Sequence, residues 1–142
     1  LLNGEDVSGL IRTEAVGNMA SASSGYGAVR EKLVALQKEL ASRENVVMDG
    51  RDIGTCVLPH ADVKIYLTAS SQVRAERRYK ELLEKGQQAD LQEIEADIIK
   101  RDYQDMHREN SPLKQAEDAV LVDSSDMTLD QVVARFLEII GR

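Results

Sequence analysis

Only one cysteine, Cys56, occurs in 142 residues, so no internal disulfide can form and no second thiol exists for a cysteine-based metal site. That usage suits a reducing compartment, with Cys56 reading as a small buried apolar residue. His60 and His107 have no Cys or His neighbour at ligand spacing, which argues against a histidine metal centre. Long apolar runs are lacking: no window reaches the roughly 18 consecutive apolar residues of a membrane span. The start lacks a basic segment leading into an apolar run, so no membrane association is expected and the cytoplasm is the expected location. Basic residues are scarce, 18 Lys and Arg against 25 Asp and Glu, for a net charge of −7. Such a balance argues against nucleic acid as the main partner, and any phosphate site must be a local cluster. Gly-x-Ser-x-Gly and paired-Cys motifs are missing too, as are internal repeats and any low-complexity tract beyond the Ser/Ala/Gly run at 20–28.

What is present is the composition of a soluble globular protein, 42% apolar and 30% charged, long enough for one domain with a real core. The chain opens Leu1-Leu2-Asn3 rather than with Met, which suggests a truncated or processed product. Residues 1–28 are rich in Gly, Ser, Ala and Asn, with turn signals at Asn3-Gly4 and Ser24-Gly25, and read as a loop-rich or small subdomain. Val29, Leu33, Leu36 and Leu40 then recur on one helical face through about Glu44. Val46-Val47-Met48 is a short apolar run of the kind found in strands covered on both faces.

Val63 to Leu67 is a second strand candidate, and Ser70-Ser71 can cap a charged helix that Gly86 terminates. A further helix starts near Asp90, supported by Glu93, and stops before Ser111-Pro112. Val120 to Val122 reads as a third strand. Thr128 with Gln131 forms a capping box for a last helix whose Val132, Val133, Phe136, Leu137 and Ile140 make a buried face. Together these predict an α/β layered fold with parallel strands and right-handed crossovers.

Three constellations carry chemistry. In Asp49-Gly50-Arg51-Asp52 a buried strand ends in an acid, a flexible glycine, a base and an acid, where open α/β sheets bind ligands. Asp49 can hold a magnesium ion through water, Arg51 can meet a phosphate, and Asp52 can accept from a base's exocyclic amino group. Equally, acids and glycines after strands serve as plain turns and caps. On the helix from 90 to 110, Ile94 and Ile98 continue at helical spacing into Arg101, Asp105 and Arg108, so one stripe turns from apolar to charged. Arg101 and Asp105 are also spaced for an ordinary i,i+4 ion pair. Lastly Arg74, Arg77 and Arg78 cluster on the helix after Ser70, where a dianion would relieve their repulsion, unless Arg77 pairs with Glu81 and Lys80 with Glu84.

At Asp49-Gly50-Arg51-Asp52 the chain resembles cytidylate kinases of the bacterial type. Asn3-Gly4-Glu5-Asp6-Val7, Ile11-Arg12-Thr13, Val29-Arg30-Glu31, Val63 to Leu67, Arg101-Asp102 and Val120 to Ser124 extend the resemblance over almost the whole chain. It implies an α/β fold of the P-loop NTPase type, a three-layer parallel sheet with helices on both faces. Residues 1–28 would be the later part of a CMP-binding insertion, and 29–142 a partial core with a mobile lid over about 72–110. The implied reaction moves the γ-phosphoryl of ATP to CMP or dCMP, with Mg²⁺ bridging the ATP phosphates and water excluded by the lid. The full-length protein is expected to be a monomer.

Residue by residue, the resemblance puts Ser21, Arg30 and Asp52 on cytosine. Arg101, Asp105 and Arg108 would surround the ribose and phosphate of CMP, and Arg51 would meet its phosphate. Arg74 would lie by the adenine of ATP, and Arg78 would reach the transferring phosphates from the lid. Arg51, Arg78 and Arg101 are thus the catalytic candidates and Asp49 the metal candidate. The chain departs from the family in one respect: no Gly-x-x-x-x-Gly-Lys-[Ser/Thr] loop, and no Gly-Lys pair at all, occurs in it. The family's central P-loop strand is expected ahead of Leu1. Phosphoryl transfer rests on positioning and charge stabilisation, so these 142 residues alone are expected to bind nucleotide without catalysing.

Overall fold

The computed structural model describes residues 2–11, 13–109 and 111–141, which divide into two compact units, Leu1–Val47 and Met48–Arg142. In the first unit, Asn3 and Gly4 both take positive φ, and Leu2 and Glu5 exchange backbone hydrogen bonds of 2.8 and 2.9 Å across them. This is the tight turn expected at Asn3-Gly4. Residues 1–28 are less loop-like than expected, because helix α1 spans Glu14–Ser24, capped by the Thr13 hydroxyl accepting from Val16 N. Its Ala and Ser residues support a helix without marking an apolar face, so no periodicity advertised it. Helix α2, Gly27–Ala41, follows and packs against α1. Its Val29, Leu33, Leu36 and Leu40 stripe forms as expected but stays exposed.

In the second unit, strands β1, Ile65–Thr68, and β2, Val120–Asp123, pair in parallel with Ile65 opposite Val120 and Thr68 opposite Asp123. The ladder extends by Val120 N to Lys64 O and Ser124 N to Thr68 O. Between the strands in sequence lie α3, Ser71–Glu84, and α4, Leu91–His107, packed on each other. Ser70 caps α3, and its far end closes with Gln87 N on Leu82 O and Gly86 N on Leu83 O. That closure needs Gly86 at φ +70°, a conformation in which a side chain is strained. The Asp90 carboxylate accepts from Gln92 N and Glu93 N and so fixes the start of α4. Helix α5, Leu129–Ile140, opens with the expected Thr128–Gln131 capping box.

Two expectations fail here. Val46-Val47-Met48 forms no strand among the described residues, and Val47 is fully exposed. A strand covered on both faces needs a ladder neighbour, and the sheet described here has only β1 and β2. The face of α5 that its periodicity marks as buried is not: Val133, Leu137 and Ile140 are each close to half exposed. Periodicity reports which side of a helix is apolar, and burial requires a neighbour to pack on it. Among the described residues the buried ones are few: Val57, Ala69 just past β1, Ala75 on α3, Val122 in β2 and Ser124 just past it.

Candidate functional site

Asp49-Gly50-Arg51-Asp52 is a bend rather than the end of a ladder strand. It leads into one wide π-type turn, Ile53–Val57, in which Asp52 O accepts from Cys56 N at 2.8 Å and from Val57 N at 3.3 Å. A Cβ on Gly50 would stand 3.0 Å from Ile53 Cγ1, so only glycine lets the bend fold back this closely. The turn is clipped from behind by Lys64, whose side chain is just 7% exposed. Its ammonium donates to Pro59 O at 2.5 Å and to both Asp118 oxygens at 2.9 and 2.8 Å. These bonds hold the Asp118 carboxyl below the usual carboxylate range.

From that bend Arg51 Nε donates to Asp105 Oδ2 at 2.6 Å. Asp105 sits on the second half of α4 with its side chain 13% exposed. Arg108 Nη1 lies 3.4 Å from the other carboxylate oxygen and Arg108 Nε donates to Ser111 O at 2.7 Å. Asp105 O in turn accepts from Leu113 N at 2.7 Å, folding the segment after α4 back onto it. Residues 54 positions apart thus form one charged cluster, with two guanidinium groups on a single carboxylate. A phosphate can take the place of that carboxylate on either arginine, and the released carboxylate can then accept from a hydroxyl.

The i,i+4 pair between Arg101 and Asp105 does not form. Asp105 turns to Arg51 and Arg108 instead, and Arg101 is exposed with no partner among the described residues. Asp49 is likewise exposed and unpartnered. Asp52 is half-buried. Arg30 lies half-buried on α2 in the first unit, and Ser21 lies on α1 with its side chain outside the described residues.

The arginines of α3 part company. Arg74 makes a two-pronged ion pair with Asp102, Nη1 to Oδ1 at 3.0 Å and Nη2 to Oδ2 at 2.5 Å, and its Nε donates to Ala69 O at 3.0 Å. The hydrogen bonds that Arg74 donates to Asp102 hold its guanidinium above its ordinary pKa. Arg77 reaches past the end of β2 to Ser124 O at 2.6 Å, not to Glu81. Glu81 pairs with Arg78 at 2.8 Å and with Lys85, so the expected Arg77–Glu81 and Lys80–Glu84 pairs are both absent. Ser71 Oγ adds a 2.9 Å bond from α3 to Glu95 on α4.

Asp102, Glu95 and Lys64 escape a reading of spacing, because their partners lie 28, 24 and 54 residues away. The adjacency of Arg101 and Asp102 is the only hint for the first. Among the described residues no group of three or more His, Cys, Asp or Glu can hold a metal ion, and no helix is long and apolar enough to cross a membrane.

A parallel strand pair, two long helices and a carboxylate gripped by two arginines define a mixed α/β protein with a site suited to an anionic, hydroxyl-bearing ligand. The chain belongs to the cytidylate kinase family, whose model matches residues 1–142. A cytidylate kinase of Lactobacillus johnsonii is 52% identical over 141 residues, 99% of this chain and 61% of the relative. One from Carboxydothermus hydrogenoformans is 50% identical over 142 residues, 64% of its length, and one from Streptococcus pneumoniae 52% identical over 130 residues. The chain therefore spans about three-fifths of the length of the curated relatives it matches.

Proposed function

We propose that the full-length protein is a nucleoside monophosphate kinase that transfers the γ-phosphoryl of ATP to CMP, and to dCMP, giving the diphosphate and ADP. The observation that carries this reading is the Arg51–Asp105–Arg108 cluster, charged where an acceptor phosphate and ribose would need it. Arg51 takes the CMP phosphate, Asp105 the sugar hydroxyl, and Arg108 and the unpartnered Arg101 complete the polar wall. Ser21, Arg30 and Asp52 recognise cytosine, with Asp52 accepting from the amino group. UMP would present no amino group to that carboxylate, so it should be discriminated against.

On the donor side, Arg78 is tied among the described residues only to Glu81, in an exposed i,i+3 pair weak enough to release it toward the transferring phosphates. Arg74 has its N–H edge engaged by Asp102 and Ala69 O, so it can offer adenine only the flat face of its guanidinium. The exposed, unpartnered carboxylate of Asp49 fits a hydrated Mg²⁺, which keeps its waters and takes one or two carboxylates beside phosphates. Mg²⁺, when bound, neutralises charge on the ATP phosphates. The finer architecture belongs to the same reading: a three-layer P-loop NTPase sheet, an insertion ending near residue 28 and a lid over about 72–110, in a cytoplasmic monomer.

These 142 residues contain no Gly-Lys pair, and by themselves we assign them nucleotide binding without catalysis. An ADP-release assay on the full-length protein, comparing CMP with UMP and AMP, tests the function. Strong preference for CMP is expected, and equal rates with UMP would remove the role given to Asp52. For the 142-residue chain, added CMP should raise the melting temperature, and no shift at millimolar CMP would exclude even the binding reading.

A further inference from the structure

The two halves of α4 are held differently. The first half carries half-buried Ile94 and Ile98 and is bonded to α3, on which α4 packs, through Glu95 on Ser71. Past Ile98 the apolar side chains Ile99, Tyr103 and Met106 are all exposed, and the side chains tying α4 to the rest of its unit are Asp102 and Asp105. Asp105 is held by Arg51, and in the proposed reaction CMP draws both members of that pair to itself. Ligand binding thereby dissolves one of the two ties at the moment when Asp105 has to be aimed correctly. The Arg74–Asp102 fork is the side-chain tie that remains, beside the backbone bond from Leu113 N to Asp105 O. It is also the tie that reaches the sheet, since Arg74 Nε is bonded to Ala69 O just beyond β1, and Ala69 is itself buried.

We propose that Asp102 is a positioning residue for the acceptor nucleotide: through the Arg74 fork it fixes the rotation and height of the second half of α4, and so the place of Arg101 and Asp105. This rests on the reading of the cluster as the CMP site. Asp102 and Asp105 stand three residues apart, nearly one turn, so a shift of the helix at one is carried to the other. A two-pronged guanidinium–carboxylate pair constrains direction as well as distance, which a single contact does not. Loss of the fork leaves Arg74 still bonded to Ala69 O, so the donor side should respond less than the acceptor side. Misplacing groups by about 1 Å costs catalysis on the order of 100-fold in tight sites, and a partly retained helix should lose less.

The test uses the full-length protein with Asp102→Asn, which keeps the shape but loses the charge and one acceptor, and Asp102→Glu, which keeps the charge. For Asp102→Asn the KM for CMP should rise about tenfold while the KM for ATP stays within about threefold, with Asp102→Glu recovering most of the change. Calorimetric titration of CMP without ATP should show the same weakening, and a melting curve checks that each variant folds. If Asp102→Asn does not fold, the Asp102→Glu variant is read alone, with a two- to fourfold rise confined to CMP expected. An unchanged KM for CMP, or equal rises for CMP and ATP in a variant that folds, overturns the positioning role and leaves the kinase reading intact. A wild-type protein that turns over ATP with another acceptor but not CMP overturns the reading of the cluster as the CMP site, and the positioning role with it.

Discussion

The first half of α4 is attached by greasy contacts and one hydroxyl, the second half by charges. Half-buried Ile94 and Ile98 contribute burial without demanding direction, whereas Asp102 and Asp105 bind guanidinium groups whose angles matter. The difference separates a part of the helix that keeps the fold together from a part whose contacts can be exchanged for a ligand. A hydrophobic seam has no alternative partner to offer a nucleotide. A carboxylate between two arginines does, because each of its bonds can be remade to a phosphate or a sugar at similar strength.

The comparison is broken most forcefully at Asp105. Replacing it by Asn in the full-length protein removes a charge-assisted acceptor contributing about 2–3 kcal/mol, so kcat/KM for CMP should fall about 100-fold. The melting temperature should move little, and a loss of stability as large as the loss of activity would make Asp105 a structural residue. The converse experiment lies at Ala75, which is 0% exposed on α3. Ala75→Leu overpacks that position and should cost about 1–3 kcal/mol in a urea titration. The variant's KM for CMP should stay near wild type at temperatures where it is folded.

Much of this division was legible beforehand, and its limits follow from what spacing can carry. Caps are local, so Ser70, Asp90 and the Thr128–Gln131 box could be read directly, and with them the starts of α3, α4 and α5. The charged turn of the stripe at Arg101, Asp105 and Arg108 was also visible, since helical periodicity places residues on faces. Partners were not. Arg101–Asp105 was the pair that spacing favoured, and Asp105 chose Arg51 from 54 positions away because two guanidinium groups converge there. The same limit hid Asp102 behind Arg74 and Lys64 behind Asp118, whose partners are set by the packing of α3 on α4 and by the pairing of β1 with β2. Val46-Val47-Met48 shows the opposite failure: its apolar run is strand-like, yet a strand exists only where a neighbour supplies the other half of each hydrogen bond.

A gentler probe distinguishes the clip behind the bend from the cluster in front of it. Lys64 depresses the Asp118 pKa, so the pair stabilises the folded state above the usual carboxylate range. The contribution disappears as pH falls through the lowered folded-state value, below about pH 4. Asp118→Asn should therefore flatten the acid limb of the stability profile in urea titrations, while neutral-pH activity toward CMP stays within about twofold. A selective loss of CMP turnover at neutral pH would mean that the clip is part of the site rather than its support.

The smallest effect is expected at Glu81, where exposure decides the outcome. Arg78 and Lys85 both bond this carboxylate and hold it below its ordinary pKa, but the three side chains lie in solvent and such pairs contribute little to stability. Glu81→Gln should leave the melting temperature within about a degree. Under the proposed function its consequence is kinetic, because Arg78 would have to leave Glu81 to serve a transferring phosphate, and release from a weak partner removes a small competing interaction. In the full-length protein kcat should rise by no more than about twofold. A fall in kcat would show that Glu81 aims Arg78 rather than detains it, and would extend to α3 the kind of positioning proposed for Asp102 on α4.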